Sequence, residues 1–250
     1  MKLHIDTAPV WEVYRQDCEC PLCSLSERAE AAGVDYFLGE SVMEPSQRIE
    51  VNEKGFCSRH FKQMFAIGNH LGLALMTHTY MKQVNLKLED SAKRLREAAE
   101  REAGKPVFKR VIGKKGVGMQ ESIDALRHFE EKCVLCERLR DNMQRYVYTL
   151  IHLYKTDGQF RETFSGSKGL CLKHYVDALE MASEHLSGAT LQQFVDALTE
   201  LETRNMKRLE GEIEWYTLKF DYRNDDKPWG NSRDSVKRSI NKLRGAVIED

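Results

Sequence analysis

Eight residues carry the chemistry that this sequence can support. Cys20 and Cys23 stand in a Cys-Pro-Leu-Cys run, and Cys57 and His60 follow in Gly55-Phe56-Cys57-Ser58-Arg59-His60. Cys133 and Cys136 stand in Cys-Val-Leu-Cys, and Cys171 and His174 follow in Gly169-Leu170-Cys171-Leu172-Lys173-His174. Each half therefore reads CxxC, a gap, then CxxH, with gaps over residues 24–56 and 137–170. Two thiols three positions apart at a helix start point into one pocket, where the helix N-terminus favours the thiolate. A cysteine and a histidine at i and i+3 share one helix face. One corner of each kind supplies three sulfurs and one nitrogen, the donor set of a closed tetrahedral zinc site. The spacing predicts two Zn2+ sites, Cys20/Cys23/Cys57/His60 and Cys133/Cys136/Cys171/His174, each within its own half. An iron–sulfur centre is the alternative occupant. A closed set leaves no open coordination position, so the expected ion is structural and contributes on the order of 10 kcal/mol to folding. Against metal stand reduced cysteines packed as small hydrophobes, and a dithiol redox pair, which expects a βαβ setting absent from the pattern.

The elements that must position these residues read as helices. Thr7-Ala8-Pro9 marks a first helix start, Leu22–Met43 reads as helix with a break near Gly33, and Pro45–Lys54 reads as a loop. A helix from Cys57 to about Ile67 precedes a break at Gly68, Asn69 and Gly72. Leu73, Met76, Tyr80, Val84, Leu88 and Leu95 then form one apolar stripe on a long charged helix. The second half repeats the plan, with helices at Leu135–Tyr154, Cys171–Leu186, Thr190–Asp221 and Ser232–Leu243. No sustained period-two alternation occurs, so the expected fold is all-α. We read a helical bundle of two duplicated units, each with its Cys3His site, plus a C-terminal helix. The units cover residues 1–103 and 119–222, joined by a basic, glycine-rich linker at 104–118 and followed by a loop and helix at 223–250. That linker carries no Gly-Lys-Ser/Thr, so it is no phosphate loop.

Composition narrows the function classes. The 38 basic and 39 acidic residues nearly cancel, which removes a global drive toward nucleic acid or an anionic membrane. No apolar leader opens the chain and no run approaches the roughly 18 apolar residues of a membrane span, so the expected compartment is the cytoplasm. There paired cysteines bind metal or do redox chemistry more often than they form disulfides. Cys18 is the odd seventh cysteine and has no twin. His70 and His185 are twinned, and the expectation places them beside each site or at a helix junction. His4, His78, His128 and His152 carry no expected chemistry. The apolar stripes form the core or a dimer seam.

Taken together, the Cys20–Cys23, Gly55–His60, Cys133–Cys136 and Leu170–His174 motifs and the run Asp221-Tyr222-Arg223-Asn224 resemble an uncharacterised bacterial family of unknown function. The run Leu243-Arg244-Gly245 resembles that family's closing helix. The resemblance covers nearly the whole chain and implies the architecture without an activity. The sequence thus points to a structural-zinc binding or adaptor module with a protein partner or a second copy, and it assigns no catalytic residue. The alternatives are an iron–sulfur or thiol-based redox sensor or enzyme, and a nucleic-acid-associated zinc protein using the basic linker.

Overall fold

The computed structural model describes residues 3–103 and 117–248. Among the described residues there are eleven α-helices and no strand, in agreement with the all-α expectation. Of the expected linker, residues 104–116 lie outside the described residues, while Val117 and Gly118 open a helix. The helices are α1 (Leu3–Tyr14), α2 (Pro21–Leu38), α3 (Pro45–Lys54), α4 (Ser58–Ile67), α5 (His70–Ala103) and α6 (Val117–Glu131). They continue with α7 (Val134–Thr156), α8 (Gly158–Gly166), α9 (Leu172–His185), α10 (Gly188–Leu218) and α11 (Ser235–Arg244).

Several local expectations give way to physical reasons that the sequence conceals. Gly33 does not break α2; a Cβ there would lie 2.4 Å from Leu135 Cδ1, so the glycine lets α7 pack closely against α2. Pro45 does not open a loop but occupies the first turn of α3, where its missing N–H has no helical partner to lose. Thr7 does not start α1, which begins at Leu3 and holds Pro9 inside. Residues 158–166 form a short helix because Asp157 caps it, its Oδ1 accepting from the Phe160 N–H at 3.1 Å.

The chain forms two compact units, Met1–Ala29 with Arg140–Asp250, and Glu30–Leu139. The first unit buries Phe160, Phe164 and Phe194 with Tyr14, Tyr154, Leu150 and Ile151. Tyr154 meets Phe164 and Phe194 edge to face at 5.3 and 4.9 Å between ring centroids. Cys20, Cys23 and Cys171 belong to this same apolar cluster. The second unit buries Phe37, Phe56, Met64 and Met76 with Val34 and Leu135, and Cys133 belongs to that cluster. Each core therefore includes thiols that could do chemistry.

Candidate metal centre

The CxxH corners are built alike. Helix α3 ends at Gly55, whose φ of 64° turns the chain, and a Cβ at that position would lie 2.3 Å from Tyr80 Cζ. Phe56 is buried, and Cys57 caps α4 in an extended conformation, φ −72° and ψ 166°, with His60 one turn inside. At the second CxxH corner Gly169 has φ 81°, Leu170 is buried, and Cys171 caps α9 at φ −72° and ψ 160°, with His174 one turn inside. The CxxC corners open α2 and α7. The Cys23 N–H donates to the Cys20 carbonyl at 3.0 Å, and the Cys136 N–H donates to Cys133 Sγ at 3.4 Å. All four corners thus present thiols at helix N-termini, which favour negative charge.

The corners pair across the halves, which corrects the expected within-half sets. Cys20 and Cys23 meet Cys171 and His174, and Cys57 and His60 meet Cys133 and Cys136. In each group the four donor atoms lie within 4.8 Å of one another. In the first group, which belongs wholly to the first unit, His174 Nδ1 lies 3.4, 3.5 and 3.3 Å from the sulfurs of Cys20, Cys23 and Cys171. Cys23 and Cys171 are 3.6 Å apart at sulfur. In the second group, wholly in the second unit, His60 Nδ1 lies 3.4, 3.1 and 3.5 Å from Cys57, Cys133 and Cys136. Cys57 and Cys136 are 3.8 Å apart at sulfur. These sulfur separations are far beyond the ~2.05 Å of a disulfide. Either Cys3His group could hold a metal ion.

Charge bears on how such a pocket could hold a cation. Three thiolates cannot share one buried volume unaided, so each group divides its protons unevenly. Hydrogen bonds from Cys20 and Cys23 hold the Cys171 thiol far below its ordinary value. In return the Cys23 thiol, donating to Cys171, is pushed up to about 12, and burial drives Cys20 well up. In the second group burial works to raise Cys57, yet the His60 N–H and the Cys136 and Cys133 thiols hold it below the ordinary value. Burial, with the charge of Cys133, pushes Cys136 up to about 12. Burial and the neighbouring Arg59 lower His60, against the pull of Glu30, which favours the neutral imidazole that a metal needs.

Residues outside the donor sets fix the corners. Glu30 Oε1 lies 2.9 Å from His60 Nε2 and 3.0 Å from Arg59. This is a carboxylate–histidine pair that sets the ring so that Nδ1 faces the sulfurs. Beside it, Lys54 bridges Glu50 and Glu137 at 3.1 and 2.6 Å, tying α3 to the first turn of α7. At the first group Glu202 accepts from the Leu170 N–H at 3.0 Å and pairs with the fully buried Lys242 at 3.1 Å. Lys242 also donates to the Lys168 carbonyl at 2.7 Å, so α11 grips the turn that carries Cys171. Gly245, with φ 72°, closes α11 against the thiols; a Cβ there would lie 3.3 Å from Cys171 Sγ and 3.5 Å from Cys23 Sγ. Glu19, beside Cys20, is buried and pairs with Arg208 at 2.5 Å and Arg238 at 3.2 Å. Of these, Arg238 and Gly245 lie among the residues that resemble the family's closing helix, and the sequence assigns neither a role at the thiols. A buried Glu or Lys on a helix looks like any solvated charge until the tertiary partner is known.

The remaining histidines and Cys18 lie outside both groups. His70 is the first residue of α5 and packs on Phe65, ring centroids 4.9 Å apart. His185 is the last residue of α9 and meets Tyr148 edge to face at 4.9 Å. Both therefore serve helix junctions. Cys18 is half-buried, and burial raises its thiol. His152 stacks on Tyr148, and the His4 and His128 side chains lie outside the described residues. The Tyr222–Gly230 segment is pinned to α10. Lys219 donates to the carbonyls of Asn224, Asp225 and Lys227 at 2.5–3.0 Å, and Trp215 Nε1 donates to the Pro228 carbonyl at 3.1 Å.

Comparison with known proteins adds kinship without an activity. A 217-residue stretch is 20% identical to an "Uncharacterized 23.9 kDa protein in xynA 3'region" from Caldicellulosiruptor sp. (strain Rt8B.4), covering 86% of this chain and 92% of that protein. No solved structure matches the chain. One family model matches residues 1–250, and the chain belongs to the family it describes, the "Family of unknown function (DUF6062)".

Proposed function

We propose that the protein is a zinc-stabilised helical binding module, with one Zn2+ held by Cys20, Cys23, Cys171 and His174 and another by Cys57, His60, Cys133 and Cys136. The observation that carries this is the size and make-up of the two donor groups. Zn–S bonds of ~2.3 Å and Zn–N bonds of ~2.0–2.1 Å give a tetrahedron with edges of about 3.6–3.8 Å. The His–sulfur separations of 3.1–3.5 Å and the Cys23–Cys171 and Cys57–Cys136 separations of 3.6 and 3.8 Å come close to that figure without an ion, with all donors of each group within 4.8 Å. Iron–sulfur ligation is less well supported, because a cluster spreads its ligands over several iron atoms, whereas all four donors here lie within 4.8 Å.

Four protein ligands fill a tetrahedral ion, so the zinc holds helix starts together and the protein's surfaces meet its partner. Seven free cysteines suit a reducing compartment, for which the cytoplasm is our reading. Among the described residues no helix is long and apolar enough to cross a membrane. Elemental analysis of the purified, untagged chain tests the proposal. Two zinc per chain with no visible absorbance is the expected result. Iron with absorbance near 400 nm, or no metal in a normally folded chain, would overturn it.

A further inference from the structure

The two donor groups have the same chemistry and opposite access to solvent. In the first group the residues are nearly sealed, Cys20 at 1%, Cys23 at 2%, Cys171 at 0% and His174 at 4% exposure. Helix α11 contributes to that seal through Gly245, whose backbone abuts two of the sulfurs. In the second group His60 and Cys133 are buried, Cys57 is half-buried and Cys136 is exposed. The two sulfurs open to solvent are also the two that face each other at 3.8 Å. A small oxidant can therefore touch one thiolate of the second group and find its reaction partner within reach. At the first group the thiols are only 0–2% exposed, with Gly245 set against two of them.

We infer that Cys57 and Cys136 are a peroxide-oxidisable pair, so that the second site is a releasable metal site while the first is permanent. The inference rests on the metal reading above. The Cys136 thiolate attacks one oxygen of a hydroperoxide, the O–O bond breaks, and hydroxide (or alkoxide) leaves with a sulfenic acid on Cys136. The Cys57 thiolate then attacks that sulfur, the S–O bond breaks, a second hydroxide leaves, and the S–S bond forms. The two sulfurs together lose two electrons, the peroxide gains them, and two protons from solvent turn the leaving groups into water or alcohol. Zinc undergoes no redox change, and the disulfide would leave only His60 and Cys133 of the four residues that would hold it. The sulfurs must close from 3.8 Å to ~2.05 Å, which the departure of the ion permits. The product links the start of α4 to the first turn of α7 covalently, so the corner stays joined after the metal has gone.

The test uses the full zinc-loaded chain and hydrogen peroxide, with released zinc read by a chromogenic chelator and disulfides mapped by mass spectrometry. Zinc content measured before peroxide decides the metal reading by itself, and a chain without zinc sinks that reading. With two zinc bound, the expected result is release of one ion, a Cys57–Cys136 disulfide, and reuptake of zinc after a dithiol reductant. Alkylation of the untreated zinc form gives a readout that needs no variant: Cys136 and then Cys57 should be labelled well before Cys20, Cys23 or Cys171. Loss of both ions together, a disulfide that joins Cys133 to Cys136 or involves Cys20, Cys23 or Cys171, or equal labelling of the two groups would overturn the inference while leaving the zinc sites standing.

Discussion

Replacing Glu30 measures how much of the second site's affinity comes from outside its four donors. Its carboxylate lies 2.9 Å from His60 Nε2 with a side chain only 15% exposed, so little solvent competes for that hydrogen bond. Glu30→Ala removes both the acceptor that fixes the ring and the negative charge that strengthens the imidazole as a ligand. Losses of this kind cost roughly 10–100-fold in metal affinity, or about 1.4–2.7 kcal/mol. Glu30→Gln keeps an oxygen that can accept from Nε2–H and loses the charge, so it should fall between wild type and alanine. The first site contains no Glu30 contact and serves as the internal control. Competitive titration with a zinc chelator of known affinity should resolve two classes of ion, one unchanged and one weakened in the order wild type, Gln, Ala. Equal weakening of both classes would refute the reasoning, because it would mean that Glu30 acts through general stability. An unchanged affinity in the alanine variant would show that the donors alone orient His60.

Lys242→Met strands Glu202 in the core, and breaking a buried pair this way costs about 3–5 kcal/mol. Thermal unfolding should show a Tm drop on the order of 10 °C, and adding Glu202→Gln, which keeps an acceptor for the Leu170 N–H, should restore part of it. The pH dependence of stability should reverse sign with metal. Ligation holds the thiols deprotonated in the fold, so the zinc form keeps its stability above the unfolded thiol pKa of about 8.5 and loses it on acidification. In the stripped chain the lowered Cys171 and Cys57 still lose stability on acidification, but Cys23 and Cys136, pushed up to about 12, and the raised Cys20 outnumber them above about 8.5, where stability fades as pH rises toward 12 and the reversal appears. Urea midpoints for both forms between pH 6 and about 10 check this, and parallel slopes would contradict it. A fragment spanning residues 30–139 should bind one zinc through the crossed set, whereas a fragment of residues 1–103 should bind none tightly. Metal content of the two purified fragments decides between crossed and within-half ligation.

The donors themselves were legible because thiols and imidazoles at i and i+3 have few other reasons to recur in register. Their pairing was not. A CxxC corner fits either CxxH corner equally well in local geometry, and the choice is made by which helices pack together. Cys20 finds His174 across 154 positions although His60 is 40 positions away. The helical class was legible from the apolar stripes of α5 and α10. Gly33 and Pro45 misled because each has two uses, as a breaker and as a device that helps a helix pack or begin. Glu30, Glu202 and Lys242 were invisible for a related reason. Their roles depend on partners many positions away, and on the amphipathic pattern they are ordinary surface charges.

The crossed ligation also sets an order of events on the emerging chain. The second site links positions 73–79 apart and lies in sequence between the two arms of the first, whose sulfur and imidazole partners are 148–154 apart. The entropic difference between loops of those lengths is small, about 0.6 kcal/mol for a doubling, so timing outweighs it. During synthesis Cys20, Cys23, Cys57 and His60 are the first four donors to leave the ribosome, and together they make a complete but wrong set. On the proposed zinc reading, an ion supplied at that moment meets a set that holds it only weakly, while an ion supplied after Cys136 and His174 have emerged meets the packed corners. On that reading the native pairing of donors waits for Cys133, Cys136, Cys171 and His174 to emerge, whenever the metal is delivered.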